Sequence, residues 1–379
     1  MFERSLNMSP TGAALMGLEM CLLYVVMTGI YNLFFHPFAR YPGPKLAAVS
    51  HLWYGKHWIG GRFAFDLYNV HQKYGNIVRI APNELSFSSL QAFNDLYGHV
   101  TKNKKPFLKS AWYDMPDEMS PLGAERDPVR HSTTRRQLAH AFSVTALSQQ
   151  SPIIHHYVDL FMRQLAKYGG GEGGVDVDEL NQAAKTNPQI TILVNILYAG
   201  SIFDIFRRMP YLKPLAPLFV PISKLKKERA IHQEFSLNRI QERIAKGNDR
   251  PDFFGHLLAN KETAPSEEFL RTNASSLLIA GSETTATALA GITYYLLSDP
   301  KTFSILKEEV RNAFNDHTDI TDTSTKSLPY LFGVIEESLR IFPPLPINLP
   351  RVSPGAPIDG HFVPKGVRLL HPIFLCLNV

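Results

Sequence analysis

Hydrophobic positions divide this chain into one long apolar run, a series of helical repeats and a few short alternating stretches. Residues 14–35 (ALMGLEMCLLYVVMTGIYNLFF) carry one charge, Glu19, and are long enough to cross a bilayer core as a helix. A cleaved signal peptide has a shorter apolar stretch and a small-residue cleavage site, and neither is clear here. Arg40, Lys45, Lys56 and Arg62 follow the run, while Arg4 alone precedes it among basic side chains. That asymmetry places the body of the protein in the cytosol. The alternative is a helix buried in a core. After the run come His36-Pro37 and Tyr41-Pro42-Gly43-Pro44, whose prolines end a helix and stiffen the exit. The pattern predicts an anchor over residues 1–36 and a globular body over 37–379.

Within the body, the spacing of apolar residues predicts an amphipathic helix over Phe63–Tyr74, ended by Gly75. Residues 77–80 and 84–87, separated by Ala81-Pro82-Asn83, predict a β-hairpin. Residues 127–168 read as helical, and the GGGEGG stretch at 169–174 as a flexible connection. Residues 189–225 are rich in Leu, Ile, Phe and Pro and then turn basic at Lys224, Lys226, Lys227 and Arg229. Apolar residues beside such a cluster suit either a second membrane contact or a packed helix pair. Residues 271–297 predict a long helix, apolar on nearly all sides, that runs through the centre of the body. Asp299-Pro300 supplies an N-cap and a first-turn proline for a helix reaching Phe314. Another helix covers Pro329–Ile341 and stops at Pro343-Pro344, and residues 358–363 read as a short hairpin. The fold class is mainly α with small β-sheets.

Composition narrows the function. The chain has 379 residues, 45% hydrophobic and 19% charged, which suits a large folded core rather than disorder. A net charge of +5 and a pI near 9.0 are spread over short clusters such as residues 102–105 and 224–229. A nucleic-acid stripe is denser and interleaved with aromatics, so no nucleic-acid partner is expected. An acidic membrane surface or an acidic electron donor fits the excess better. Two cysteines, Cys21 and Cys376, exclude a disulfide scaffold, and neither has the spacing of a metal site.

Two constellations carry chemistry. Ala280-Gly281-Ser282-Glu283-Thr284-Thr285 lies inside the long apolar helix. Its small residues leave room for close approach to the backbone, and an acid beside two hydroxyls suits proton relay. The same threonines can instead bond back to preceding carbonyls and bend the helix. Downstream, Glu337 and Arg340 share a helix face at i, i+3, followed by Pro343-Pro344, Pro346 and Leu349-Pro350-Arg351. His131 and Arg135, four apart in HSTTR, form a third, weaker group; by themselves they suit a solvated helix face.

Together and in this order, these elements resemble the cytochrome P450 family: the proline hinge, the AGSETT helix, the ExxR helix and the PPxP…LPR segment. HSTTR resembles the family's WxxxR helix with His in place of Trp. The wording YPGPKLAAVS, KYGNIVRIAPNELSF and AGSETTATALAG is especially similar to fungal members of secondary metabolism, such as averantin and isotrichodermin hydroxylases. The resemblance covers about 40–170 and 205–366. It implies haem as cofactor, an NADPH-cytochrome P450 reductase as electron donor, an apolar small-molecule substrate, and a single-pass place in the endoplasmic reticulum membrane. It implies proton delivery by Glu283 and Thr284, a distal-pocket position for Thr285, and haem-propionate contacts for His131, Arg135 and Arg351. Glu337 and Arg340 would hold the fold near the haem.

One family element has no counterpart in the sequence. The cysteine loop FxxGxRxCxG, which supplies the haem thiolate, is not found, and after Gly366 the wording VRLLHPIFLCLNV departs from the family. Cys21 sits in the proposed membrane span, and Cys376 lacks the glycines and arginine of the loop. A second departure lies at residues 176–197. The resulting expectation is an incomplete P450 fold behind a transmembrane helix. Its two functional readings are a haem-thiolate monooxygenase by family, and a truncated membrane-bound remnant that binds no haem.

Overall fold

The computed structural model describes residues 9–99, 105–114, 120–168, 188–246, 252–258 and 265–373. Their strands are β1 (Ile77–Ala81), β2 (Glu84–Phe87), β3 (Leu108–Lys109), β4 (Arg351–Val352), β5 (Ala356–Ile358), β6 (His361–Val363) and β7 (Arg368–Leu370), set among a majority of helices. The described residues fall into two units, one built from Met1–Phe107 with Ile347–Leu377, the other from Leu108–Pro346. The N-terminal apolar helix and strands β1, β2, β4 and β7 therefore share a unit.

In the first unit, the apolar run forms a helix over Pro10–Ile30, capped by the Ser9 hydroxyl, which accepts from the Gly12 N–H. It continues as one π-helical turn, Tyr31–Phe35. Leu15, Leu18, Leu22 and Val25 all stand exposed along it. None of its most apolar window is buried, so the alternative of a core helix is set aside. Helices Lys45–Val49, Leu52–Ile59 and Phe63–Tyr74 follow. Gly75 ends the last of them at φ +94°, a conformation that costs a residue with a Cβ.

The expected hairpin forms: β1 pairs antiparallel with β2 through a bulge between Arg79 and Ala81. Sequence-distant β7 joins parallel to β2, and β4 pairs antiparallel with β7. Side chains alternate on β2. Leu85 and Phe87 enter an apolar core with Phe38, Leu96, Ile358, Val363 and Leu369, whereas Ser86 points the other way to His71. β5 and β6 form the second hairpin, turned by Asp359 and Gly360 at φ +49° and +76°. Both positive angles match the Asp-Gly turn favoured between twisted strands. Ser89 Oγ donates to Asp359 (2.8 Å), and the Asp359 N–H donates to Asp95 (3.0 Å), tying this hairpin to helix Leu90–Tyr97.

The second unit is helical apart from β3. Residues 128–168 form helices Pro128–Ala139, Val144–Gln149 and Ser151–Tyr168, with a 3₁₀ turn at His140–Phe142. The expected linker at 169–174 and most of the 176–197 departure lie outside the described residues. Helix Pro188–Arg208 and the segment after it bring Ala199, Ile202, Phe206, Ala216 and Val220 into one core. That is the packed-helix alternative. Tyr211, Leu218 and Phe219 face outward from the same segment. Helix Pro300–Ala313 begins on the Asp299 cap, whose Oδ1 accepts from the Lys301 N–H at 3.1 Å. Pro329–Ile341 forms as expected.

The long helix is present but not buried as expected. It spans Glu267–Ser298 and is capped by Ser266, with Glu267 and Glu268 in its positive first turn. Phe269, Leu270 and Asn273 are buried, Phe269 and Leu270 packing with Leu138, Ile240 and Leu257. No residue of this helix beyond Asn273 is buried, and Leu278, Leu289, Tyr294 and Leu297 are exposed. Apolar composition on every side reports that these side chains avoid water, not that a neighbour covers them.

Candidate functional site on the long helix

Glu283, Thr284 and Thr285 sit about three turns past the buried start of the helix, on its uncovered stretch: Glu283 is half-buried and both threonines are exposed. A Cβ added at Gly281 would meet nothing within 4 Å, so the Ala280–Gly281 backbone is open to approach. The Thr284 hydroxyl donates to the Ala280 carbonyl at 2.6 Å, the back-bonding arrangement open to a helical threonine. Its hydrogen is used in the helix, while its lone pairs stay available to accept from a proton donor. Ten residues after Gly281, Gly291 faces the Phe342 ring, 2.9 Å from where a Cβ would lie. This close approach seats the end of the Pro329–Ile341 helix on the long helix.

That neighbouring helix carries the second constellation. Arg340 Nε donates to Glu337 Oε2 at 2.7 Å and Nη2 to Oε1 at 2.6 Å, a two-pronged pairing that a guanidinium fork allows. The bonds lower the Glu337 carboxyl from its ordinary range and raise Arg340. Both side chains are exposed, so the pair is shielded by water. Glu309 accepts from the Tyr330 and Leu331 N–H groups at 2.9 and 2.8 Å, capping the start of this helix.

His131 and Arg135 occupy one face of Pro128–Ala139; His131 is half-buried and Arg135 exposed. Arg351 belongs to the first unit, on β4, with its guanidinium 5.2 Å over the Tyr97 ring. Tyr97 in turn donates to the Leu349 carbonyl at 3.1 Å. Tyr97 is a partner that sequence reading missed: it lies more than 250 residues from Arg351, and no local spacing connects them. Within the second unit the structure thus joins Glu337 to Arg340 and places Glu283, Thr284 and Thr285 in succession on the uncovered stretch of the long helix. His131 and Arg135 stay on a helix of their own.

The family model for Cytochrome P450 matches residues 40–378. The chain belongs to the cytochrome P450 family. It is 43% identical over 346 residues to Cytochrome P450 monooxygenase poxC of Penicillium oxalicum, covering 91% of this chain and 69% of that protein. It is 40% identical over 375 residues to Cytochrome P450 monooxygenase BOA3 of Botryotinia fuckeliana, covering 92% and 73%. A third relative, Cytochrome P450 monooxygenase TwmD of Talaromyces wortmannii, is 36% identical over 372 residues, covering 91% and 72%.

P450 membership implies haem. The uncovered face, with open space at Gly281, suits the approach of a flat, largely apolar group. Cys21 is exposed on the N-terminal apolar helix, and Cys376 lies outside the described residues.

Proposed function

We propose that this protein is a haem-thiolate monooxygenase of fungal secondary metabolism that hydroxylates an apolar small molecule. The reading rests on one observation above all: an acid and two hydroxyls in succession on the uncovered stretch of the long helix, in a chain of the P450 family. Haem, when bound, would supply the oxidising power; the family's thiolate loop FxxGxRxCxG is not found in residues 1–379, and none of the residues named below ligates the iron. The protein's own groups then manage protons and position. Glu283, half-buried, would be the proton donor of the relay, and the Thr284 oxygen would accept a hydrogen bond from the relayed donor beside the open backbone at Gly281. Thr285, exposed on the same stretch, lines the substrate side. By family resemblance Arg135, with His131, would contact one haem propionate and Arg351 another, for which a planar guanidinium fork is well matched. Glu337 and Arg340 keep the adjoining helix in place rather than react.

Residues 1–36 anchor the enzyme in the endoplasmic reticulum membrane with residues 37–379 in the cytosol, where an NADPH-cytochrome P450 reductase delivers electrons. The exposed apolar helix and the basic residues after it support this placement. Reduction of the purified protein under carbon monoxide tests the chemistry. A thiolate-type Soret band supports it. A folded protein without that band supports the remnant that binds no haem.

A further inference from the structure

Asn273 is a polar residue in an apolar helix, buried at 4% exposure in the first turns of the long helix. A buried side-chain amide is costly unless its groups are hydrogen-bonded. Nδ2 donates to the Phe269 carbonyl one turn back at 3.0 Å. Oδ1 is left to look outward from the helix, where it accepts from the Leu122 N–H at 3.0 Å. The Leu122 carbonyl is held as well, accepting from Lys109 Nζ at 3.0 Å. Both backbone groups of Leu122 are therefore taken, and the chain at this residue is pinned to the start of the long helix.

From that pinned residue the chain turns directly into the helix Pro128–Ala139. The Ala124 and Glu125 N–H groups both bond the Pro121 carbonyl at 2.9 Å. Glu125 is buried at 7% exposure, and its Oε1 accepts from the Asp127 N–H at 2.8 Å. Asp127 Oδ1 then caps the helix, accepting from the Val129 and Arg130 N–H groups at 2.9 and 2.8 Å. At the far end of the helix, buried Leu138 shares a core with Phe269 and Leu270 of the long helix. Leu138 lies seven residues after His131 and three after Arg135, so the three form one stripe. Both ends of the helix are thus held on the same first turns of the long helix. That sets the rotation of the stripe, and with it the place of Arg135.

We propose that Asn273, acting through Glu125, is a positioning residue for the haem-propionate contact: it fixes the start of the Pro128–Ala139 helix and so the place from which Arg135 and His131 reach a propionate. This role presupposes the propionate contact proposed above for those two residues. It is tested in the full-length protein by titrating ferric haem and haem dimethyl ester, whose capped propionates carry no charge, and following tryptophan fluorescence. The wild type should bind haem about tenfold more tightly than the ester, as a charge-assisted pairing predicts. Arg135→Ala should abolish that preference. Asn273→Leu, similar in size but without an acceptor, should abolish it too while leaving affinity for the ester unchanged. Glu125→Met, outside the long helix, should do the same, whereas Glu125→Gln keeps an oxygen for the Asp127 N–H and should keep the preference. In haem-free protein, Asn273→Leu should speed hydrogen exchange over residues 120–130 by about tenfold or more, with β1 and β2 unchanged.

A folded Asn273→Leu or Glu125→Met protein that keeps the wild-type preference would overturn the positioning role and leave the Arg135 contact standing. Haem and ester weakened alike would also overturn it, because that pattern marks a general loss of structure. Unchanged exchange over 120–130 in Asn273→Leu would contradict the hold on Leu122. A wild type that binds neither form, or both equally, would overturn the propionate reading on which the role depends.

Discussion

Protonating His71 opens a set of hydrogen bonds that closes one face of the sheet in the first unit. A carbonyl only accepts, so His71 Nδ1 carries the hydrogen that meets the Gly75 oxygen at 2.9 Å. Nε2 is left to accept from Ser86 at 2.8 Å. Burial pushes the imidazole down to about 4, with the nearby His371 adding to the drop against the Gly75 bond. A folded-state value below the unfolded one means that the unfolded chain binds the extra proton. This stabilisation is therefore fully present above about pH 6.5 and lost as pH falls toward 4. Its size is about 3 kcal/mol. Denaturant unfolding across that interval should show stability falling with acid, and His71→Gln should flatten the slope. The same scale holds the proposed chemistry. Thr284→Ala should reduce product formed per NADPH consumed by about tenfold or more, whereas Thr284→Ser, keeping the hydroxyl, should retain most of it. Equal product yield in the alanine protein, measured by paired NADPH and product assays, removes Thr284 from the relay.

Elements whose signals are local are legible in the sequence itself. The hairpins at 77–87 and 358–363, the helix stop at Gly75 and the Asp299 cap depend on a few neighbouring residues. The proline hinge is legible as a stiff exit, but not the reason for its glycine. A Cβ on Gly43 would overlap the Arg79 carbonyl oxygen, so the hinge lies flat against β1. Gly43→Ala should cost about 1–3 kcal/mol, because backbone rather than a movable side chain is in the way. An unchanged unfolding midpoint would contradict this packing. Partners far apart in sequence are not legible: β7 beside β2, Tyr97 under Arg351 and Arg79 on Asn32. The long helix illustrates the opposite error, since its apolarity suggests burial that the structure shows only as far as Asn273. Of the candidate site, the order of motifs is readable from the chain. The open face at Gly281 and the back-bonded Thr284 emerge only from the folded helix.

At the scale of the whole molecule, an exposed apolar helix lies at the N-terminal end of a P450 chain whose proposed proton-handling residues lie on the long helix. Deleting residues 1–36 should move a large share of the protein from the membrane pellet to the supernatant. Unchanged pelleting would transfer the main contact to other surfaces, among them the outward Tyr211, Leu218 and Phe219 beside the 224–229 basic cluster. Whether these residues serve a thiolate-ligated haem is tested most directly by the absorption spectrum of the purified, dithionite-reduced protein under carbon monoxide. A thiolate-type Soret band that scales with protein concentration is the expected result. A folded protein that shows no such band, with haem supplied in excess, would contradict the haem-thiolate function.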